Sequence, residues 1–482
     1  MGKQSKRKFT GGNSPAETPA VGEDQAPGLL TPDLLRDATV VVLTALAVLS
    51  WIGAHSIESW AGASGIIFVL SSLVLGVLQP IVGLVLAILI VPYQGGTIGG
   101  FVGIYGMTEV QRAAPIWGGV IRTLIDTARG KGSGDPPPKS LVFGVIAALL
   151  LAPISRLPSE AYPAYQAGTT GIIIDMLAII GTQSVLWGAW ILATHLPRRH
   201  IPTIEHAIAI ALPIAMLIAL ASYFRVDLFD SFAFIGTKFG RLAGLGFPTP
   251  TAMGIAVALP VAATIAWRTS KGLGVAVLGV ALLTVYLTQS RGPLIAIIGS
   301  GITALIIYRN TSVRLIVLGA AAGSVAAAAL IVRRYGALFS DLLAGKSVDL
   351  LGASDSTRIA SWIAAFQIAI QKPLTGAGWM SLRFWDPLFD KNGVAESHNI
   401  ILVALAAGGL PYGISTAVGV IGSAVLMVRN RHKIPVHWVA AATALLICGI
   451  WDMPQTRALA ALYGGLALGF VARRPQPAAA EA

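Results

Sequence analysis

"GLGVAVLGVALLTVYLTQSRGPLIAIIGSGITALIIY", residues 272–308, contains one charged side chain, Arg291. Two apolar runs meet at "SRGP" (290–293), each close to the ~20 residues with which a helix crosses a bilayer. A surface helix of a soluble protein would show a polar face, and neither run has one. Gly292 and Pro293 suit the start of the second run, since the first helical turn accommodates proline. The stretch reads as two transmembrane helices joined by a tight turn, and that reading sets the class of the whole chain.

The same pattern recurs on both sides. Of the 482 residues, 55% are hydrophobic and only 12% charged, against about a quarter charged in a soluble protein. The chain is therefore expected to be an all-α, polytopic membrane protein of about twelve spans. These lie near 36–53, 65–91, 141–154, 169–195, 203–223, 250–267, 272–288, 293–308, 314–332, 399–428, 437–451 and 458–472. Pro80 near the middle of the long second run predicts a kink. A tight hairpin is the alternative, and it would require the stretch from Gly95 to Ile125 to cross as well. Lys3, Lys6, Arg7 and Lys8 are followed by a Gly/Pro/Ser/Glu-rich stretch with no apolar core, so 1–35 reads as a disordered tail, not a cleaved signal. Residues 36–472 read as one transmembrane unit and 473–482 as a second tail. Cys448, the one cysteine, cannot form an internal disulfide.

A formal charge of +12 would suggest nucleic acid in a soluble protein, but here the basic residues lie mostly between apolar runs. With the N-terminus inside, 21 of the 34 Lys and Arg fall on the inner face, as the positive-inside rule requires. Both termini are thus expected in the cytoplasm, with membrane lipids rather than nucleic acid as surroundings. Two sizeable segments fall outside: Arg225–Thr249, and residues 333–397 between the ninth and tenth spans. The second contains "STRIASWIAAFQIAIQKPLTGAGW", where Ile359, Trp362, Ile363, Phe366 and Ile370 recur at helical spacing. That pattern suits a helix on the membrane surface or capping the bundle.

Three ionisable residues from distant parts of the chain reach the outer face together. Arg241 lies in "KFGRLAGLGFPTP", Arg291 in "TQSRGP", and His398 in "ESHNI" at the start of the tenth span. Holding an arginine at membrane depth costs about 2.5 kcal/mol or more near a helix centre, and less toward the interface. A guanidinium held there commonly faces a charged partner, and its planar fork suits phosphate. The simpler reading of Arg291 is a snorkelling span end, and of Arg241 a solvated loop residue. His398 can take a proton from a hydroxyl. Equally, it can be part of a helix start, with Ser397 as N-cap and His398 and Asn399 in the first turn. The other histidines show no ligand spacing with His398, so no metal site is expected. "TGAGWM" (375–380) lacks the strand–turn–helix context of a nucleotide loop. In the outer segment, Trp379 and Trp385 could stack on sugar rings or anchor at the interface. Arg358 and Arg383 are further candidates for anionic groups.

In order and spacing, "RLAGLGFPTPTAMG", "TQSRGPLIAIIGSG", "STRIASWIAAFQIAIQKPLTGAGW" and "ESHNIILVALAAGGLPYG" resemble the O-antigen ligase and polymerase superfamily of bacterial envelope glycosyltransferases. The resemblance covers roughly residues 203–428. One departure is "FPTPTAMG", which has Pro-Thr where many relatives have Pro-Asn. The resemblance implies a metal-independent, GT-C-like enzyme of the inner membrane with a periplasmic active site and no cofactor. Its donor would be a glycan on undecaprenyl diphosphate. The acceptor would be lipid A–core in a ligase, or another lipid-linked repeat in a polymerase; a protein O-oligosaccharyltransferase is a third relative. Carried over by motif, Arg241 and Arg291 would bind the diphosphate and His398 would activate the acceptor. Arg358, Arg383, Asn399, Trp379 and Trp385 would line the substrates. A transporter is the rival from another class. It would place its charges near the midplane and often repeat between halves, whereas here they gather at one face and no repeat is visible.

Overall fold

A computed structural model describes residues 32–56, 61–91, 107–131, 134–154, 184–224, 235–238, 241–244, 248–307, 353–378, 382, 397–452 and 458–474. Helices α1 (Pro32–Ser56), α2 (Ala61–Leu78), α3 (Pro80–Ile90), α4 (Met107–Ala128), α5 (Lys139–Ile154), α6 (residues 184–195) and α7 (Ile201–Tyr223) come first. A hairpin of β1 (Ile235–Lys238) and β2 (Arg241–Gly244) follows. Then come α8 (Pro248–Thr269), α9 (Lys271–Thr288), α10 (Arg291–Ile307), α11 (Ala353–Gln371), α12 (Ile400–Asn430), α13 (Val436–Trp451) and α14 (Ala458–Ala472). This is a helical, multi-pass membrane protein. Among the described residues, helices α7, α8, α9 and α12 are each long and apolar enough to cross a bilayer, and six more apolar helices are shorter. Of the expected spans, 314–332 and the first half of 169–195 lie outside the described residues, as do most of the outer segment and both tails up to Thr31 and from Pro475.

The buried centre is α8, in which every residue from Thr251 to Ala266 is buried. A helix apolar on all sides belongs inside a bundle, and α7, α9, α13 and α14 pack around it. Small residues permit close contact. A Cβ on Gly465 of α14 would lie on the backbone of Leu186 in α6, the kind of contact that drives helix association where lipid offers no hydrophobic gain.

The kinked second span is a hairpin instead. Gln79 (φ −142°, ψ 88°) ends α2 and Pro80 opens α3. The chain folds back so that a Cβ on Gly83 would stand 2.8 Å from Cα of Gly76. In a continuous helix, residues seven apart are about 10 Å apart. Proline at the first helical position serves a new helix as well as it bends an old one, so both outcomes fitted the sequence. The segment expected to be an inner loop contains α4, 22 residues long. It lies against α2 and α3, and a Cβ on Gly118 would meet the Leu73 carbonyl.

The C-termini of α6 and α14 and the N-terminus of α7 share one end, tied through Asp135 to the chain entering α5. The N-termini of α8, α10 and α12 and the C-termini of α9 and α13 share the other, referred to below as the site end.

Candidate active site

Arg241 is placed by the hairpin. Ile235 pairs with Gly244 and Lys238 with Arg241, and alternation along a strand sends neighbouring side chains to opposite faces. Leu242 is fully buried among Ala219, Leu220, Tyr223 and Leu287, so Arg241 points the other way, toward the end of α9. Its Nε donates to the Thr288 carbonyl at 2.6 Å and its Nη2 to Ser290 Oγ at 3.0 Å. Gln289 stands in the left-handed region at φ 52° as the C-cap of α9. The guanidinium thus covers the negative end of a helix, where a cation is favoured. The solvated-loop reading of Arg241 is excluded by these bonds.

Arg291 is the first residue of α10, one turn of chain beyond that cap. Arg241, Arg291, Thr249, Met253, Gln289, Ser290, Gly292, Pro293, Cys448, Trp451 and Asp452 enclose a cavity of about 180 Å³. Ser290 Oγ donates to Thr249 Oγ1 at 3.3 Å, so the Pro-Thr stretch that departs from the family pattern sits in the cavity wall. A Cβ on Gly292 would meet nothing within 4 Å, so the floor at the α10 N-terminus is open backbone. Arginine and the positive end of a helix together make a binding place for an anion.

His398 approaches from α12. The expected cap is corrected: Asn399, not Ser397, is the N-cap, and its Oδ1 accepts from the backbone N–H groups of Ile401 and Leu402 at 3.0 and 3.1 Å. The Asn399 Nδ2 donates to the Ile450 carbonyl at 3.3 Å, so its side chain joins α12 to the end of α13. Ser397 is buried behind the cap. His398 therefore precedes the helix, in the left-handed region at φ 48°, where non-glycine residues are uncommon and tend to mark function. Its Nδ1 lies 3.4 Å from Asp452 Oδ1. Asp452, itself nearly buried, faces both His398 and the cavity.

Asp452 is the residue that sequence reasoning missed. A lone aspartate after a span reads as solvated, and its contact with His398 is 54 positions away. One signal was present: Asp452 is the single acidic residue between Glu396 and Glu481. Arg241, Arg291, His398 and Asn399 thus converge at the site end. Arg358 lies on α11, where its side chain is not described; Trp379, Arg383 and Trp385 lie outside the described residues.

The outer segment reaches the site through α11. Ala364, Ala365 and Ile368 are buried against α12, while Ile363, Phe366 and Ile370 face outward. Trp362 meets Trp451, a cavity residue, at 6.0 Å between ring centroids. The "TGAG" loop has a backbone role. α12 breaks at Gly408 and Gly409 (φ 68°), and the loop fills the break. Ala377 and Gly378 donate to the carbonyls of Ala406 and Ala407, and Leu410 donates to that of Pro373. A broken membrane helix must have its freed polar groups satisfied in this way.

Residues 275–416 match the model of a family described as O-Antigen ligase. This region belongs to the O-antigen ligase superfamily. No curated protein matches the chain. The O-antigen ligase match holds Arg291 and His398 but leaves Arg241 and Asp452 outside its limits. The cavity joins the matched region to flanking helices on both sides.

Proposed function

We propose that the protein is an O-antigen ligase, a membrane glycosyltransferase moving a polysaccharide from undecaprenyl diphosphate to lipid A–core at the periplasmic face of the inner membrane. The observation that carries this reading is the cavity lined by Arg241, Arg291 and Asp452, with His398 against Asp452, beside the family-matched helices. The reading includes a GT-C-like bundle of about twelve spans, a single catalytic unit over 36–472, and cytoplasmic termini.

In this reading the two guanidiniums hold the donor diphosphate, one fixed at the cap of α9 and one at the head of α10. Departure of the diphosphate builds negative charge, which donors already fixed in a partly dehydrated site stabilise without reorganising. That stabilisation takes the place of a divalent metal. Asp452 accepts a hydrogen bond from Nδ1–H of His398, which leaves Nε2 as the base for the acceptor hydroxyl. Attack at the anomeric carbon from the side opposite the diphosphate inverts its configuration. Asn399 acts through the cap that sets the position of His398. Arg358 and Arg383 serve anionic substrate groups, and Trp379 and Trp385 serve sugar rings.

The test is transfer by purified full-length protein from a lipid-diphosphate glycan to lipid A–core in EDTA. Undiminished transfer is expected, with loss in His398→Ala. An activity strictly dependent on added metal would overturn the metal-free chemistry. A gel of surface polysaccharide from a deletion strain separates the relatives: a ligase defect leaves long polymer on the carrier, whereas a polymerase defect leaves single repeats.

A further inference from the structure

The opposite end of the bundle holds a buried cation that the site chemistry does not use. Arg473, the first residue after α14, is 6% exposed. Its Nη2 donates to the Leu196 carbonyl, while Nε and Nη1 are buried with no hydrogen-bond partner among the described residues. The Phe470 ring lies 5.7 Å from Cζ; it offers a π face but no acceptor in the plane of the two orphan N–H groups. Burial pushes the guanidinium down to about 10, with Arg198 adding to the effect and Asp135 opposing it.

The surroundings are cationic and rigid. Arg198 Nε donates to Asp135 Oδ2 at 2.6 Å and its Nη2 to the Arg474 carbonyl at 3.0 Å. The Arg474 N–H donates to the Asp135 carbonyl at 3.1 Å. Three segments distant in sequence are thus tied together around Arg473, with Arg199 and Arg474 exposed at the rim. Asp135 is engaged by Arg198, which leaves the cluster with a surplus of positive charge. A buried guanidinium is seldom left with unmet donors. What would satisfy these is a compact anion with several acceptor oxygens, and a phosphate matches the fork of arginine.

We infer that Arg473 and the surrounding Arg198, Arg199 and Arg474 form a phosphate-binding site at the end of the bundle remote from the cavity. The phosphate has two possible sources, an anionic lipid headgroup in the adjoining leaflet or free phosphate. Basic pockets between membrane helices commonly take the first.

The test uses full-length protein in neutral detergent, with binding followed by native mass spectrometry and thermal unfolding. The probes are dioleoylphosphatidylglycerol and, separately, inorganic phosphate. Wild type is expected to bind and be stabilised, and Arg473→Met to lose the effect. Arg473→Lys, which keeps the charge and one donor toward Leu196, is expected to bind roughly tenfold more weakly because it lacks the fork. It also provides the comparison if the methionine variant does not fold. Stabilisation by the lipid alone identifies a headgroup site; equal stabilisation by inorganic phosphate identifies a soluble anion. If neither probe gives an effect that differs between wild type and Arg473→Lys, the site does not exist.

Discussion

Arg241 carries a double duty that separates it experimentally from Arg291. Arg241 caps α9 through Thr288 and Ser290 while it lines the cavity. Arg241→Ala should therefore lower both the melting temperature and the transfer rate. Arg291→Ala should act mainly on transfer, as a thermal scan beside a turnover assay will show. His398 rests in the left-handed region, which asparagine tolerates well. His398→Asn is expected to fold and reach the membrane normally yet transfer about 10²–10⁴-fold more slowly, the usual worth of a general base. Asp452→Asn should lose activity on a similar scale. If Asp452→Asn were fully active while His398→Asn was dead, the pairing would be incidental. The arginines and the histidine were legible because polar residues in apolar sequence are expensive and so conspicuous. Asp452 was not, because what marks it is a contact between the ends of two helices, which periodicity does not carry.

At the scale of elements, the broken helix α12 and its plug carry the next expectation. Gly409 stands at φ 68° with the Pro373 carbonyl where a Cβ would be, and Gly376 at φ 61° faces the Ala406 carbonyl in the same way. Alanine at either site costs about 1–2 kcal/mol for the left-handed backbone alone, before the clash. Both variants should unfold at lower temperature, Gly409→Ala and Gly376→Ala alike, in a detergent melting experiment. The buried carboxylate of Glu205 gives a contrasting case. It accepts from His437 Nε2 at 2.7 Å and Trp438 Nε1 at 2.9 Å, joining α7 to α13. Removing one side of a buried pair costs about 3–5 kcal/mol, whereas replacing both with apolar groups is often neutral. Glu205→Leu should therefore melt early, and Glu205→Leu with His437→Leu should recover much of the loss. The apolar helices among the described residues were readable from hydropathy. The hairpin at Gln79–Pro80 was not, because the contact of Gly76 with Gly83 is made by residues that have no side chains to pattern.

For the whole molecule, orientation can be checked with the help of the single cysteine. On a Cys448→Ala background, Lys238→Cys, paired with Arg241 at the site end, should react with a membrane-impermeant maleimide added from the periplasmic side. Lys433→Cys, at the far end of α12, should react only once the inner membrane is opened; the reverse pattern would invert the proposed topology. The assembly of helix ends around the cavity has a further consequence. The N-termini of α8 and α10 bring positive ends to it, and Arg241 offsets the negative end of α9. The negative end of α13 is met by the Asn399 amide at the Ile450 carbonyl and carries the carboxylate of Asp452. The cavity is therefore a dipole in its own right, with a wall that draws phosphate and a wall that repels it. In the proposed reaction this polarity sets the sense in which a donor enters, its diphosphate against the arginines and its reacting carbon toward the Asp452 side, before any acceptor arrives.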